Sequence, residues 1–451
     1  MYRIYAGVYT DYKRKVVKRS LIIIIAFFSV LPLLIAQSPY RLTVEELFER
    51  GMQNSIAIQQ SVIKAHISED KLGLAKKKQL PDIYVSGLLG YVGTPTILDK
   101  DLSFLKHSEA PDWKQNYQIS ATQPIYQGGR ISNGIEKARL EKEVAELGLQ
   151  KDKAELKLWL IGKYLDLFNL YKSRDVYAQN IEEAKVRLKD IEKMKEQGMI
   201  TTNDVLRSKL LLTNYELSYK ETENDISLVS QQLNIVLGLD ESLVLEPDMD
   251  LLASRTNTLP ESDYIYQAYL QYPDLKMAER NIDIARSNLK LTKADYLPTL
   301  SLQASNTLAR PIPNISPAQD LFLNAWGVSL NLSYHISALF DKKRNTNVAR
   351  QQVSLQELAQ LQQKQNIRTN VKSAYVKHQE ALDRINALNE SLVQAKENYR
   401  IVKNKYFNQL AILTDLLDAN SVLLTAELQL TSAKTKAIYT YYQLQKVSGN
   451  L

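Results

Sequence analysis

The chain contains no cysteine in its 451 residues. That removes disulfide bonds, thiol nucleophiles, thiolate metal sites and a thiol for N-terminal lipid attachment. Histidine is equally sparse. His66, His107, His335 and His378 are scattered without the spacing of a ligand set, so no metal is expected. Nor do the residues offer a Ser/His/Asp arrangement, and the reading is of a non-enzyme without a cofactor. Glycine and proline number 15 and 13 and are unevenly spread. No proline lies between Pro124 and Pro247, and none follows Pro317. Because proline breaks helix interiors, these two tracts predict long helices. Gly128-Gly129-Arg130 invites a phosphate-loop reading, but it lacks the third glycine and the lysine-serine pair of that motif. A bend between strand and helix is the better account.

The N-terminus supplies what an export signal needs. Lys13, Arg14, Lys15, Lys18 and Arg19 form a basic region, Leu21 to Ile35 an apolar run, and Ala36 a small residue before Gln37. The run is 15 residues long, short of the roughly 20 that a spanning helix requires. Residues 1–36 are therefore expected to be a cleaved signal peptide, with a signal anchor as the alternative. Cleavage would remove six Lys/Arg and one Asp, leaving 51 basic and 49 acidic residues and a net charge of +2 in place of +7. With the basic excess gone, nucleic acid is not an expected partner.

Internal repetition is the strongest pattern. Leu72-Gly73-Leu74 leading to Leu80-Pro81 returns as Leu289-Lys290-Leu291 leading to Leu297-Pro298, offset by 217. Gly198 to Gly238 pairs with Gln409 to Gly449 at an offset of 211. Each copy reads helix, strand, loop, strand, long helix, turn, long helix. Strands are expected at 81–93, 116–127, 297–309 and 325–336, with period-two alternation. Leu300 and Leu302 oppose Ser301 and Gln303, and Val328, Leu330 and Leu332 oppose Ser329 and Asn331. Such strands suit a half-buried soluble sheet or a membrane β-barrel equally well.

The helices favour the second option. Ala374, His378, Ala381, Ile385, Leu388, Leu392, Ala395, Tyr399, Val402 and Tyr406 alternate steps of four and three. Ile412, Leu416, Ala419, Leu423, Ala426, Leu430, Ala433 and Ala437 do the same, so an antiparallel coiled coil is expected. A second stripe (Leu417, Leu424, Leu428 and Ile438) is more apolar surface than a two-helix coil needs. Four strands cannot close a barrel alone; three copies supply enough and remove the open edges.

Two tip-and-return segments, Gly198-Met199-Ile200-Thr201-Thr202-Asn203-Asp204-Val205 and Tyr406 through Leu413-Thr414-Asp415-Leu416-Leu417-Asp418-Ala419, resemble the TolC-like outer-membrane efflux channel family. The junction Gln123-Pro124-Ile125-Tyr126-Gln127-Gly128-Gly129-Arg130 resembles that family's as well, whereas Ser333 to Lys343 departs from it, lacking proline and glycines. The resemblance implies a mainly α fold whose long antiparallel coiled coils form an α-barrel tunnel. Four β-strands per protomer would complete a twelve-strand membrane barrel in a homotrimer. The expected division is 37–240 for the first repeat, 241–262 for a connector and 263–451 for the second. The implied function is a passive conduit for efflux or type I secretion in the outer membrane, reaching far into the periplasm. Its implied partners are outer-membrane lipid, a periplasmic adaptor and an inner-membrane pump. By motif match Asp415, Asp418 and Asp204 fall on acidic tip positions and Tyr406 on a gate tyrosine, while Ala411 replaces a basic gate residue. Plain helix capping also explains acidic residues at a helix start. An exported coiled-coil scaffold without a pore is the alternative function.

Overall fold

The computed structural model describes residues 40–107, 111–248, 258–315 and 318–451. The expected signal peptide and the middle of the expected connector lie outside the described residues. Strand β1 (Tyr40–Leu42) leads into helices α1 (Val44–Asn54) and α2 (Ile56–Lys77). A first strand pair, β2 (Asp82–Tyr91) and β5 (Trp113–Tyr126), is separated by a small hairpin of β3 (Thr96–Leu98) and β4 (Phe104–His107). Helices α3 (Arg130–Glu196) and α4 (Thr202–Leu237) and strand β6 (Leu245–Pro247) complete this half. The second half runs α5 (Glu261–Gln271), α6 (Pro273–Ala294), β7 (Thr299–Arg310), β8 (Leu323–Ser333), α7 (Lys342–Phe407) and α8 (Leu413–Val447). A 3-10 turn, Ile336–Phe340, joins β8 to α7.

Helices α3 and α7 have 67 and 66 residues, which is about 100 Å each at 1.5 Å per residue. The proline-free tracts carry both, as expected. The seam is buried where α7 meets α8: Ala374, His378, Ala381, Ala395 and Tyr406 face Leu416, Ala419, Ala426, Leu430, Ala433 and Ala437. Ile412 is an exception. It is the N-cap residue of α8 and 65% exposed, because the seam begins only once the helix does.

The main core lies at mid-length. Leu42, Leu47, Leu160, Ile161, Tyr164, Leu233, Leu237 and Leu245 pack together from β1, α1, α3, α4 and β6. The Tyr164 hydroxyl donates to the Leu42 carbonyl at 2.8 Å and accepts the Asp248 N–H at 2.7 Å. It thereby ties the parallel β1–β6 pair to the long helix. These two short strands and the β3–β4 hairpin are not legible in the period-two pattern. A second core joins α5, α6, α7 and α8 through Tyr264, Ala268, Leu275, Ile367, Val371 and Leu444.

The remaining strands form one antiparallel sheet in the order β2-β5-β7-β8. Their bounds differ from the expected ones by up to three residues. The largest shifts are at the start of β5, which begins at Trp113, and at the end of β8, where Tyr334 and Ile336 fall outside the strand because the chain tightens into the 3-10 turn. At the same end of the sheet, Gly128 and Gly129 make the bend from β5 into α3 with φ of +61° and +81°. A Cβ on Gly128 would sit 2.8 Å from the Leu297 Cβ. Only glycine fits that close approach and that backbone conformation. Among the described residues, no helix is long and apolar enough to cross a membrane.

Candidate functional site

Two regions carry features that packing alone does not require: the four-stranded sheet and the paired helical tips.

In the sheet, register shows which residues of the four strands share a face. Leu300 pairs with Leu332, Leu302 with Leu330, and Ala304 with Val328. Ala304 is opposite Ala121, and Leu308 opposite Tyr117. Ala121, Ile119 and Tyr117 are in turn opposite Ile83, Val85 and Gly87, and Trp113 is opposite Tyr91. One face of the four strands is thus mostly apolar, broken by Gln115 and Gln123 on β5 and by Asn306 on β7, which stands between Ile119 and Trp326. The other face aligns Ser301 with Asn331, Gln303 with Ser329 and Thr122, and Ser305 with Ser120. The apolar face is uncovered: Val85 is 70% exposed, Leu330 63% and Leu332 69%. Every residue of β8 is exposed, although β7 pairs with it along one edge. Strands β2 and β8 are the open edges.

The tips are two copies of one turn with different chemistry. At the first, Gly198 and Met199 donate to the Lys195 and Met194 carbonyls at 2.9 Å each. At the second, Gln409 and Leu410 donate to the Tyr406 and Lys405 carbonyls at 2.9 and 2.8 Å. Both are Schellman turns, which need a left-handed residue. Gly198 supplies it at φ +71°, but at the second tip Gln409 adopts +61°. The capping differs similarly. Thr201 and Asp204 form a reciprocal box, with Thr201 N–H to Asp204 Oδ2 at 3.0 Å and Asp204 N–H to Thr201 Oγ1 at 3.4 Å. Asp415 accepts the Ile412 N–H at 3.3 Å, but isoleucine has no oxygen to return.

Asp204 and Asp415 are therefore helix caps, the first half-buried and the second exposed. Asp418 is exposed one turn along α8. Tyr406 is 4% exposed and packs with Ile191, Val205, Leu413 and Leu416, which brings both hairpins together. Its hydroxyl has no protein partner. Burial, and secondarily the charge of Asp204, push that phenol above its usual pKa.

Two arginines at the tips went unnoticed in the sequence. Arg207 on α4 donates to Thr414 Oγ1 on α8 at 2.6 Å, a bond between hairpins close to where Ala411 stands. Arg187 on α3 is buried at 6% exposure. Its Nη1 donates to Tyr399 on α7 at 3.2 Å and to Asn420 Oδ1 on α8 at 3.3 Å. Asn420 donates on to Tyr215 on α4 at 2.6 Å, so one polar cluster touches all four tip helices. A signal for Arg187 existed: Asn180, Ala184, Arg187 and Ile191 follow the same four-and-three steps as the α7 seam.

His378 is fully buried, with Nε2 3.3 Å from Thr258 Oγ1 and Nδ1 3.1 Å from Thr440 Oγ1. Desolvation lowers its pKa. It joins the segment before α5 to the α7–α8 coil, a structural role. Among the described residues, no group of acidic, histidine or cysteine side chains is placed to hold a metal.

Residues 264–450 match the family model "Outer membrane efflux protein". No curated protein sequence is a match. The whole fold is shared with solved outer-membrane proteins. The outer-membrane channel OprN is similar over 90% of each chain, with a TM-score of 0.76 and 17% identity. CusC, described in terms of folding and transmembrane channel formation, is similar with a TM-score of 0.77 and 16% identity over 90% of this chain and 92% of its own. The outer membrane protein VceC of Vibrio cholerae gives 0.72 and 15% over 90% and 96%.

Proposed function

We propose that this chain, whose second half belongs to the outer membrane efflux protein family and whose fold is that of an outer-membrane channel, is the protomer of a trimeric efflux conduit. The observation that carries the proposal is the sheet: a mostly apolar, uncovered face, a polar reverse face and two open edges. A soluble protein has no use for that combination. In lipid, backbone groups at an edge must find partners, so the sheet must close on other copies. Three chains joined β8 to β2 would make a barrel of about twelve strands with its apolar band toward lipid. The helices would then extend into the periplasm as a tunnel.

The near-equal halves are read as a duplication, divided at 37–240 and 263–451 with 241–262 as connector. Efflux and secretion conduits of this build need an energised partner, so an adaptor and an inner-membrane pump are the proposed companions. The tips form the periplasmic gate. There Asp415 and Asp418 would face the lumen in threefold rings and attract cations, with Tyr406 and Asp204 holding the hairpins together.

Membrane fractionation tests the reading. A channel protomer stays in the outer membrane after a high-salt wash and is released by detergent as a trimer. A pore-free coiled-coil scaffold, the competing reading, is released by salt. Exchanging both Asp415 and Asp418 for Ala should reduce cation selectivity and multivalent-cation block in planar-bilayer recordings without loss of the trimer. Unchanged selectivity would leave the two carboxylates with no role beyond the helix start.

A further inference from the structure

The tips contain a buried positive charge that the gate reading does not use. Arg187 is 6% exposed, and no carboxylate pairs with it among the described residues. Its Nη1 makes two bonds, to Tyr399 at 3.2 Å and Asn420 at 3.3 Å, both at the long end for N–H···O. Its Nη2 is sealed from solvent with no partner among the described residues. In water all five guanidinium N–H groups are hydrated. Burying a charge is costly unless ion pairing and full hydrogen bonding offset it, and here neither is complete.

The surroundings make this imbalance matter. Arg187 lies between the two coils, where Ala419, Leu416 and Ile191 pack closely and leave little reason for the hairpins to part. Beside it lies a cavity of about 330 Å³ between α3 and α7, lined by Arg187 itself, Val186, Tyr399, Lys403 and Phe407 and by three carboxylates, Glu182, Glu183 and Asp190, none of which ion-pairs with the guanidinium. A modest separation of α3 from α7 would widen that cavity and admit water to Nη2. Closed, the cluster holds an under-solvated cation; parted, it does not.

We infer that Arg187 acts as an opening spring. Its incompletely satisfied guanidinium raises the free energy of the closed tip and keeps a well-packed gate near the point of opening. The inference rests on the reading of the tips as the gate. It predicts a sign opposite to that of a lock. Replacing a buried, incompletely paired charge with an apolar side chain of similar volume strengthens packing, so Arg187→Met should close the tip more firmly. A two-state gate responds to any such bias in proportion to the difference between its states.

The test uses the full-length trimer in lipid. Amide hydrogen exchange is followed in residues 188–206 and 402–417, and opening is recorded in planar bilayers. Arg187→Met should slow exchange on the order of tenfold, equivalent to about 1.4 kcal/mol, and lower open probability by a similar factor. Arg187→Gln, which keeps donors but loses the charge, should move both readouts the same way by less. Should Arg187→Met fail to assemble, the Gln variant decides alone. Faster exchange in the assembled variants would mean that Arg187 holds the coils together, and would overturn the inference. Unchanged exchange would overturn it equally. Slower exchange in a protein that never conducts would support the spring while removing the channel reading.

Discussion

The sheet and the tips depart from the ordinary rule of apolar inside and charged outside in opposite directions. The sheet presents Leu330, Leu332 and Val85 outward. The tips turn Arg187 inward. Both placements would be faults in an isolated soluble chain. On the proposed reading the sheet is relieved by a different solvent, with lipid against that face and neighbouring copies at its edges. The tips are relieved by movement, because parting the coils rehydrates the charge. A region corrected by its surroundings should be rigid, whereas a region corrected by its own rearrangement should be poised between states.

The largest expected effect lies in the sheet. Leu330→Arg should cost assembly about 2–4 kcal/mol if it sits near mid-bilayer, while Asn331→Arg on the opposite face should cost much less. Trimer yield against denaturant would measure both. Equal tolerance would break the contrast, since it would give the two faces the same surroundings.

That prediction was largely legible in the sequence, because a period of two shows which residues share a face. Alternation at Leu300, Leu302, Leu330 and Leu332 suits a soluble sheet as well as a barrel. The register, which brings the apolar residues of four strands onto one mostly apolar, uncovered face, is what alternation alone could not supply. The long helices were legible through missing proline and the four-and-three seam. The tips were half legible. Motif matching found Tyr406, Asp204, Asp415 and Asp418, but not what they touch. Arg187 fell on a seam position that its charge made easy to dismiss. Asn420, one residue beyond Ala419 in the seam, gave no periodic signal.

Smaller effects sharpen the contrast between the two tips. The second turn lacks both favourable residues of the first: Gln409 stands where Gly198 does, and Ile412 where Thr201 does. Gln409→Gly should relieve about 1 kcal/mol of left-handed backbone cost. Ile412→Thr should complete the capping box for about 0.5–1 kcal/mol. Both should slow hydrogen exchange at the second tip only. A gain at neither position would mean that neighbouring contacts, and not the turn itself, set tip stability.

The smallest effect concerns pH. His378 is buried neutral with its pKa lowered by desolvation. The unfolded chain binds a proton near pH 6.5 while the folded chain resists it. Stability from this group is therefore full above about pH 6.5 and is lost as pH falls below it. His378→Gln should flatten the decline in stability between pH 7 and 5, measured by thermal unfolding. An unaltered slope would assign the decline to other groups.

The central claim, that three copies close one barrel through β8 and β2, can be tested by cross-linking, since the native chain has no cysteine to interfere. Single cysteines placed in turn along 323–333 of β8 are combined with one at Val85 of β2 and oxidised in outer membranes. The account predicts disulfides between chains at one register, giving a non-reducing ladder that ends at three copies and closes on itself. Bonds formed only within single chains, or a ladder that stops at two or runs past three, would contradict it.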